Sequence, residues 1–286
     1  MIELRDCWKL VNLLQCHGPR HALGIALIAL RERLMKRSDA AWERSLGVRF
    51  NDTNVSLDSL GIESANKQHG FSYVPCTGVA IRALLNNIKA DLSRYCFIDF
   101  GSGEGRSLIV ASTYAFDQIM GVEFAKELHG VAVHNINRAN PFAATSGKLQ
   151  AVHMDAALFE IPRRNCVLYF YNPFGEEVFG QVLANIERAH HECKAKYYII
   201  YHQTRADLEV NHTRNAELLR AAPFLTPCPV QFRSWWTRFL LGSQDHFIFE
   251  TVDHPSDHDA ERGNPARNSH TETTRFGKSL ATISPA

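Results

Sequence analysis

Small and acidic residues alternate in one stretch of this chain, and the chemistry that its sequence offers gathers there. In Tyr95 to Ala111, YCFIDFGSGEGRSLIVA, Asp99 is followed by Gly101-Ser102-Gly103-Glu104-Gly105. Glycine lets the backbone take positive φ and lets a ligand approach with no Cβ in the way. A ligand seated at such a turn also meets the unpaired N–H groups that open a helix. Glu123 lies 22 residues after Gly101 and closes the apolar run DQIMGVEF. An acid about 20 residues past a glycine turn, at the tip of the next strand, can accept hydrogen bonds from both hydroxyls of a ribose. The spacing points to a ribose-bearing cofactor without choosing among such cofactors.

The turn reads G-x-G-x-G and departs from the G-x-G-x-x-G of the dinucleotide fingerprint, as does Asp99 two residues before it. D-x-G-x-G-x-G resembles the first motif of the class I S-adenosylmethionine (SAM) methyltransferases. The resemblance implies SAM as cofactor, with Gly101, Ser102, Gly103 and Gly105 under its methionine half and Asp99 holding the loop and the amino-acid end. It extends down the chain. Asp155-Ala156, after the run LQAVHM, matches the place where an acid meets the adenine amino group; read by itself, Asp155 is an N-cap. Asn172-Pro173-Phe174 resembles the fourth-strand [D/N]-P-P-[F/Y] motif with one proline missing. There an amide and an exposed carbonyl would accept hydrogen bonds from an incoming amine while an aromatic walls the methyl group; as plain structure it is a strand-to-helix turn. Tyr73, just upstream of the cofactor strand, matches a lid position in related methyltransferases and reads equally as a packing aromatic.

The reaction implied is an in-line displacement in which an acceptor N, O or C attacks the sulfonium methyl. The protein then contributes proximity and alignment, so no Ser-His-Asp set or carboxylate pair is needed. His202, at the end of a predicted strand, is a candidate base for a protonated acceptor, beside its reading as an ordinary strand-end histidine. F-I-D-x-G-S-G-x-G-R, G-V-E and Y-N-P-F are similar to small bacterial proteins of unassigned acceptor. The D-x-G-S-G-x-G form is also similar to non-SET lysine methyltransferases, over the loop alone. The acceptor, a small molecule or a protein group, is not specified. Two alternatives stand beside this reading: a non-catalytic SAM-binding or interaction module, and an NAD-dependent oxidoreductase, which would need the other glycine spacing.

Composition bounds the answer. With 45% hydrophobic and 21% charged residues the chain supports a sizeable core. A formal net charge of +1 gives no overall case for nucleic acid or an anionic membrane. Seven cysteines without a C-x-x-C pair point to a reducing, cytoplasmic setting. His190-His191-Glu192-Cys193 lacks partners at zinc spacing, so no metal site is expected. The longest apolar run, Leu23 to Leu30, is too short to span a bilayer.

The elements that position these residues follow from periodicity. Apolar runs at 96–100, 117–124, 149–154, 165–171 and 197–201 alternate with helical patterns at 125–139 and 176–193. A helix near 211–221 and strands at 224–232 and 247–252 follow. This gives an α/β fold: a Rossmann-like, seven-stranded, mostly parallel sheet with helices on both faces, over residues 70–252. Residues 1–69 read as an N-terminal helical extension and a loop from Asn51 to Gly70, and 253–286 as a polar, disordered tail. Leu23, Leu27, Leu30 and Leu34 form an apolar stripe beside Arg31, Arg33, Lys36 and Arg37. It is expected to pack on the main domain; the other reading is contact with a membrane surface or a partner. Trp235-Trp236, in the last connection, is expected either to wall the substrate or to pack in the core.

Overall fold

The computed structural model describes residues 19–51, 53–139, 149–204, 214–242 and 244–252, without side chains for residues 19–22 and 204. The expected helix end at Asn140-Pro141 and the tail 253–286 lie outside them. Seven strands form one sheet: β1 Cys96–Phe100, β2 Gln118–Glu123, β3 Leu149–His153, β4 Cys166–Tyr171, β5 Tyr197–Thr204, β6 Leu225–Cys228 and β7 Gln244–Thr251. Their order is β3-β2-β1-β4-β5-β7-β6, parallel except for β7. The helices are α1 Pro19–Leu46, α2 Gly78–Leu85, α3 Arg106–Ala111, α4 Lys126–Ala139, α5 Glu176–Cys193, α6 Asn215–Ala221 and α7 Trp235–Leu240.

Strands β1, β2 and β4 bury both faces, as central parallel strands must once helices cover them, whereas the edge strand β3 is only half-buried. Side chains alternate, so Ile98, Phe100, Leu168 and Phe170 meet Val178, Phe179 and Val182 of α5, while Phe97, Val167 and Tyr169 meet Ile81 and Leu84 of α2 and Leu108 of α3. The order matters for function. From β1 the chain winds outward to β2 and β3, then crosses back to β4 on the other side. Loops leaving β1 and β4 therefore part in opposite directions and open a crevice at the carboxyl ends of the strands. The glycine turn leaves β1 there, and Asn172-Pro173-Phe174 leaves β4.

The N-terminal helix packs on the main domain, as expected, with Met35 buried and Leu34 beside it, although not through the whole leucine row. Its buried residues are Met35, Asp39 and Glu43, spaced one turn apart, whereas Leu23 and Leu30 of the leucine stripe are exposed. Charge pairing makes this face buriable. Asp39 accepts from the N–H of Gly78 at 2.7 Å and from Arg82 at 3.2 Å. Glu43 pairs with Arg106 at 3.0 Å, and Arg106 also donates to the Cys76 carbonyl at 2.6 Å. Helix α1 is thereby tied to α2 and to the start of α3, directly behind the glycine turn. Among the described residues no helix is long and apolar enough to cross a membrane.

Candidate functional site

Backbone geometry explains the glycines. Gly101, Gly103 and Gly105 have φ of +78°, +52° and +84°. A Cβ on Gly101 would lie 2.5 Å from the Pro173 Cβ, and one on Gly103 would lie 2.3 Å from the Tyr73 ring. Both conformation and space therefore demand glycine at these two positions. The turn's N–H groups differ from the expectation of free donors. Gly101 and Ser102 donate to the Val122 carbonyl at 2.8 and 3.1 Å, Gly103 to Glu123 at 2.8 Å, and Gly105 to the Ser102 carbonyl at 2.9 Å. The turn is held in shape by β2 and is not a row of open donors.

Glu123 is buried at the tip of β2. One carboxylate oxygen accepts from Gly103, and the other accepts from the Ala125 N–H at 2.8 Å. Burial raises its pKa; the N–H groups of Ala125, Gly103 and Phe124 work against the rise. With three N–H groups bonded, the carboxylate retains acceptor capacity for a ligand hydroxyl. Asp99, in β1, accepts from the Ser107 hydroxyl through one oxygen. Its other oxygen is buried and has no hydrogen-bond partner among the described residues. Burial, opposed by Ser107 and reinforced by the negative charge of Glu123, pushes the Asp99 pKa up to about 7. A buried carboxylate with an unused oxygen beside a glycine turn fits a ligand that brings a donor or a positive charge.

Asp155 does two things. One oxygen caps the turn Ala156–Leu158 by accepting from the Ala157 N–H at 2.9 Å; the other accepts from the Asn66 amide at 2.9 Å and from the Ser64 hydroxyl. Ser64 and Asn66 belong to a strap, residues 53–75, laid across the carboxyl ends of the strands. Gly61 donates to both oxygens of Glu127 at 3.0 Å, Gly175 donates to the His69 carbonyl at 2.7 Å, and Phe71 donates to the Pro173 carbonyl at 3.4 Å. Val55 and Tyr73 pair with each other at 2.9 and 3.0 Å. This places the Tyr73 ring over Gly103, and burial raises the phenol pKa, so the hydroxyl stays neutral.

Two cavities lie beneath the strap and share Gly101, Phe124 and Pro173. The larger, about 60 Å³, is lined by Tyr73, Glu123, Tyr171 and Asn172, and the smaller, about 30 Å³, by Asn66, Asp155, Phe174 and Val178. Pockets for small molecules typically hold about 300 Å³ or more. A nucleoside-sized ligand therefore requires the strap to lift or Tyr73 to turn.

The predicted Asn172-Pro173-Phe174 motif splits between these cavities. Asn172 lines the larger one with a left-handed backbone, φ +38°, a conformation that asparagine tolerates better than most residues. Its side-chain oxygen accepts from the buried Tyr201 hydroxyl at 2.6 Å. Phe174 packs beside Phe170 and Phe179 and lines the smaller cavity, so it does not wall the space next to Asn172. The aromatic side chains at the larger cavity are Phe71, Tyr73, Phe124 and Tyr171. The Phe174 carbonyl accepts from Asn215 at 2.8 Å.

His202 lines neither cavity. It is fully buried behind Tyr171, with ring centroids 4.6 Å apart, and its nitrogens face the Tyr169 hydroxyl at 3.1 Å and the Gln244 amide oxygen at 3.2 Å. Burial, with His246 adding to it, lowers its pKa well below the ordinary value, so the ring is neutral and enclosed. The candidate base is thus a core histidine. Trp235 and Trp236 also line neither cavity; they are 74% and 43% exposed, so neither expected role is met. Sequence reasoning passed over Ser64, Asn66 and Phe71 of the strap and Tyr201 and Asn215 beneath the β4 turn. Their site partners lie far away in the chain; the local signals are Ser64 as the N-cap of the turn that carries Asn66, and the Gly70 and Pro75 that mark an extended approach around Phe71.

No protein-family model matches the chain, and no curated protein matches it. Among solved structures the chain is similar to TrmN from Thermus thermophilus, at 13% identity and TM-score 0.42 over 62% of this chain and 49% of that one. It thus spans about half the length of that relative. It is also similar to an RNA methyltransferase from Salinibacter ruber in complex with S-adenosyl-L-homocysteine, at 16% identity and TM-score 0.40 over 64% and 98% of the two chains. A third similarity is to the ribosomal protein L11 methylase from Lactobacillus delbrueckii subsp. bulgaricus, at 12% identity and TM-score 0.38 over 62% and 78%.

Proposed function

We propose that this chain is a SAM-dependent methyltransferase. What supports the reading is co-location. Gly101, Glu123, Asp155 and Asn172, spread over 72 residues of sequence (101 to 172), line two adjoining cavities at the β1/β4 crossover, and Asp99 lies buried in β1 just ahead of the glycine turn. When bound, SAM supplies a methyl group already activated by its sulfonium, which leaves alignment and exclusion of water to the protein. Glu123 fixes Gly103 and offers its remaining acceptor capacity to the ribose hydroxyls. Asp99, two residues before Gly101, lines neither cavity; its buried, unused oxygen would receive the amino-acid end once the site opens. Tyr73 and the strap cover the site. The acceptor is left open between a small molecule and a protein group, an amine such as lysine included.

A second reading, a SAM-binding module without turnover, has one observation in its favour: the Asn172 side-chain oxygen is turned to Tyr201 within the core. An NAD-dependent oxidoreductase is disfavoured by the glycine spacing. The experiment is calorimetric titration of the purified protein with SAM and, separately, with NAD, repeated on Asp99→Ala and Glu123→Ala. Micromolar SAM binding, weakened in both variants, is the expected result. Absence of SAM binding by a folded sample sinks the reading. S-adenosylhomocysteine production across an acceptor panel then separates enzyme from module. Asn172→Ala is expected to lose turnover while it keeps binding.

A further inference from the structure

We propose that the strap is part of the base-recognition end of the cofactor site, with Asn66 reading the adenine edge jointly with Asp155. The inference rests on the cofactor reading above and assigns the site a residue from outside the sheet. The smaller cavity is a slot with apolar walls, Val122, Phe124, Phe174 and Val178 among them, and one polar edge made by Asp155 and Asn66. Apolar walls with a single hydrogen-bonding edge suit a nucleobase. The Asn66 amide nitrogen donates to Asp155 at 2.9 Å, so the two polar groups stand side by side at that edge. An asparagine amide matches adenine in particular, because it accepts from the exocyclic amine while donating to an adjacent ring nitrogen.

Without ligand the strap closes the slot, whose volume is about 30 Å³, so the strap must move outward to admit a base. Ser64 donates to the same Asp155 oxygen and to no base position, and its side chain also caps the turn that carries Asn66, at 3.0 Å. Gly70 closes the other end: a Cβ there would lie 2.7 Å from the Phe124 ring, so the strap backbone rests directly on that wall. Gly70 also pairs with Phe174 across the slot. An incoming adenine amine takes over the donation to Asp155 that Asn66 makes without ligand, and the freed amide turns to the base. Ser64, which orients Asp155 in the unliganded structure, is a positioning residue.

The test compares binding of S-adenosylhomocysteine with its deaminated inosine counterpart, in which a carbonyl replaces the amine. Calorimetry is run on the wild-type full chain, Asn66→Ala and Ser64→Ala, each checked for folding by near-ultraviolet circular dichroism. A matched amide–base pair is worth a discrimination of roughly 5- to 150-fold. Wild type is expected to prefer the adenine compound within that range. Asn66→Ala is expected to reduce the preference by at least about fivefold, the low end of the same range, whereas Ser64→Ala weakens both ligands alike and leaves the preference intact. An unchanged preference in Asn66→Ala overturns the inference and leaves base reading to Asp155. Equal binding of the two compounds by wild type overturns it as well. If wild type binds neither, the cofactor reading itself fails and takes this inference with it.

Discussion

Replacing Gly103 by alanine tests both the local backbone and the placement of the strap. At φ +52° the residue sits in the left-handed region, where a side chain costs about 1–2 kcal/mol. The new Cβ would lie 2.3 Å from the Tyr73 ring, while ordinary contact begins at 3.4 Å, so the ring must retreat by about 1 Å. Tyr73 is packed over the turn, and overpacking of this kind costs about 1–3 kcal/mol. The two contributions together give about 2–5 kcal/mol, with a fall in Tm of about 4–20 °C at roughly 2–4 °C per kcal/mol for a domain of this size. A double-mutant cycle separates them. In a Tyr73→Ala background the clash is gone, and Gly103→Ala should cost only the backbone contribution, about 1–2 kcal/mol. Urea unfolding of the four proteins yields a coupling energy of about 1–3 kcal/mol. Equal cost in both backgrounds would refute the seating of Tyr73 on the glycine turn. A cost below about 0.5 kcal/mol in both, within ordinary surface variation, would refute the left-handed backbone.

Asp99 predicts a pH dependence. Its folded pKa of about 7 lies above the ordinary 3.8, so the folded state holds a proton that the unfolded state releases between these values. Its contribution to stability is full below about pH 4 and is lost as pH rises towards 7. Asp99→Asn removes this dependence, so the variant should gain on wild type in urea midpoint between pH 5 and pH 8; parallel pH profiles would count against a raised pKa. Tyr201→Phe removes the hydroxyl that Asn172 accepts at 2.6 Å and should cost about 1–2 kcal/mol in chemical denaturation, with no change in SAM affinity. No measurable loss would place that hydrogen bond in exchange with water. Glu127→Ala releases the Gly61 N–H that both its oxygens receive, and limited proteolysis should then cut within 56–64 faster while global stability changes by less than about 1 kcal/mol. An unchanged cleavage rate would show that the strap is held elsewhere.

The sheet and its glycine turn were legible in the sequence because their causes are local. Two-residue alternation and an unbroken apolar run in NCVLYFY specify a strand buried on both faces, and helix α5 begins and ends where its pattern predicts. Alternating glycines permit the positive φ of a tight turn, and the Glu123 spacing follows from the length of one strand–helix–strand unit. What the sequence left open depends on partners far along the chain. Asp155 reads as a cap from its neighbours, and it is one; that it also holds Ser64 and Asn66, 91 and 89 residues away, only the folded chain decides. Helix α1 buries Asp39 and Glu43 along with Met35 and leaves Leu23 and Leu30 exposed, because Gly78, Arg82 and Arg106 stand opposite the two acids. Phe174 falls to one cavity and Asn172 to the other, with Pro173 between them lining both, at a turn that is left-handed at Asn172. His202 and the two tryptophans show the same limit, since strand position gives the end of the sheet and not which side chains face the crevice. Local periodicity fixes elements and the loops between them; which side chains meet across the crevice depends on packing between distant segments, which no short-range pattern encodes.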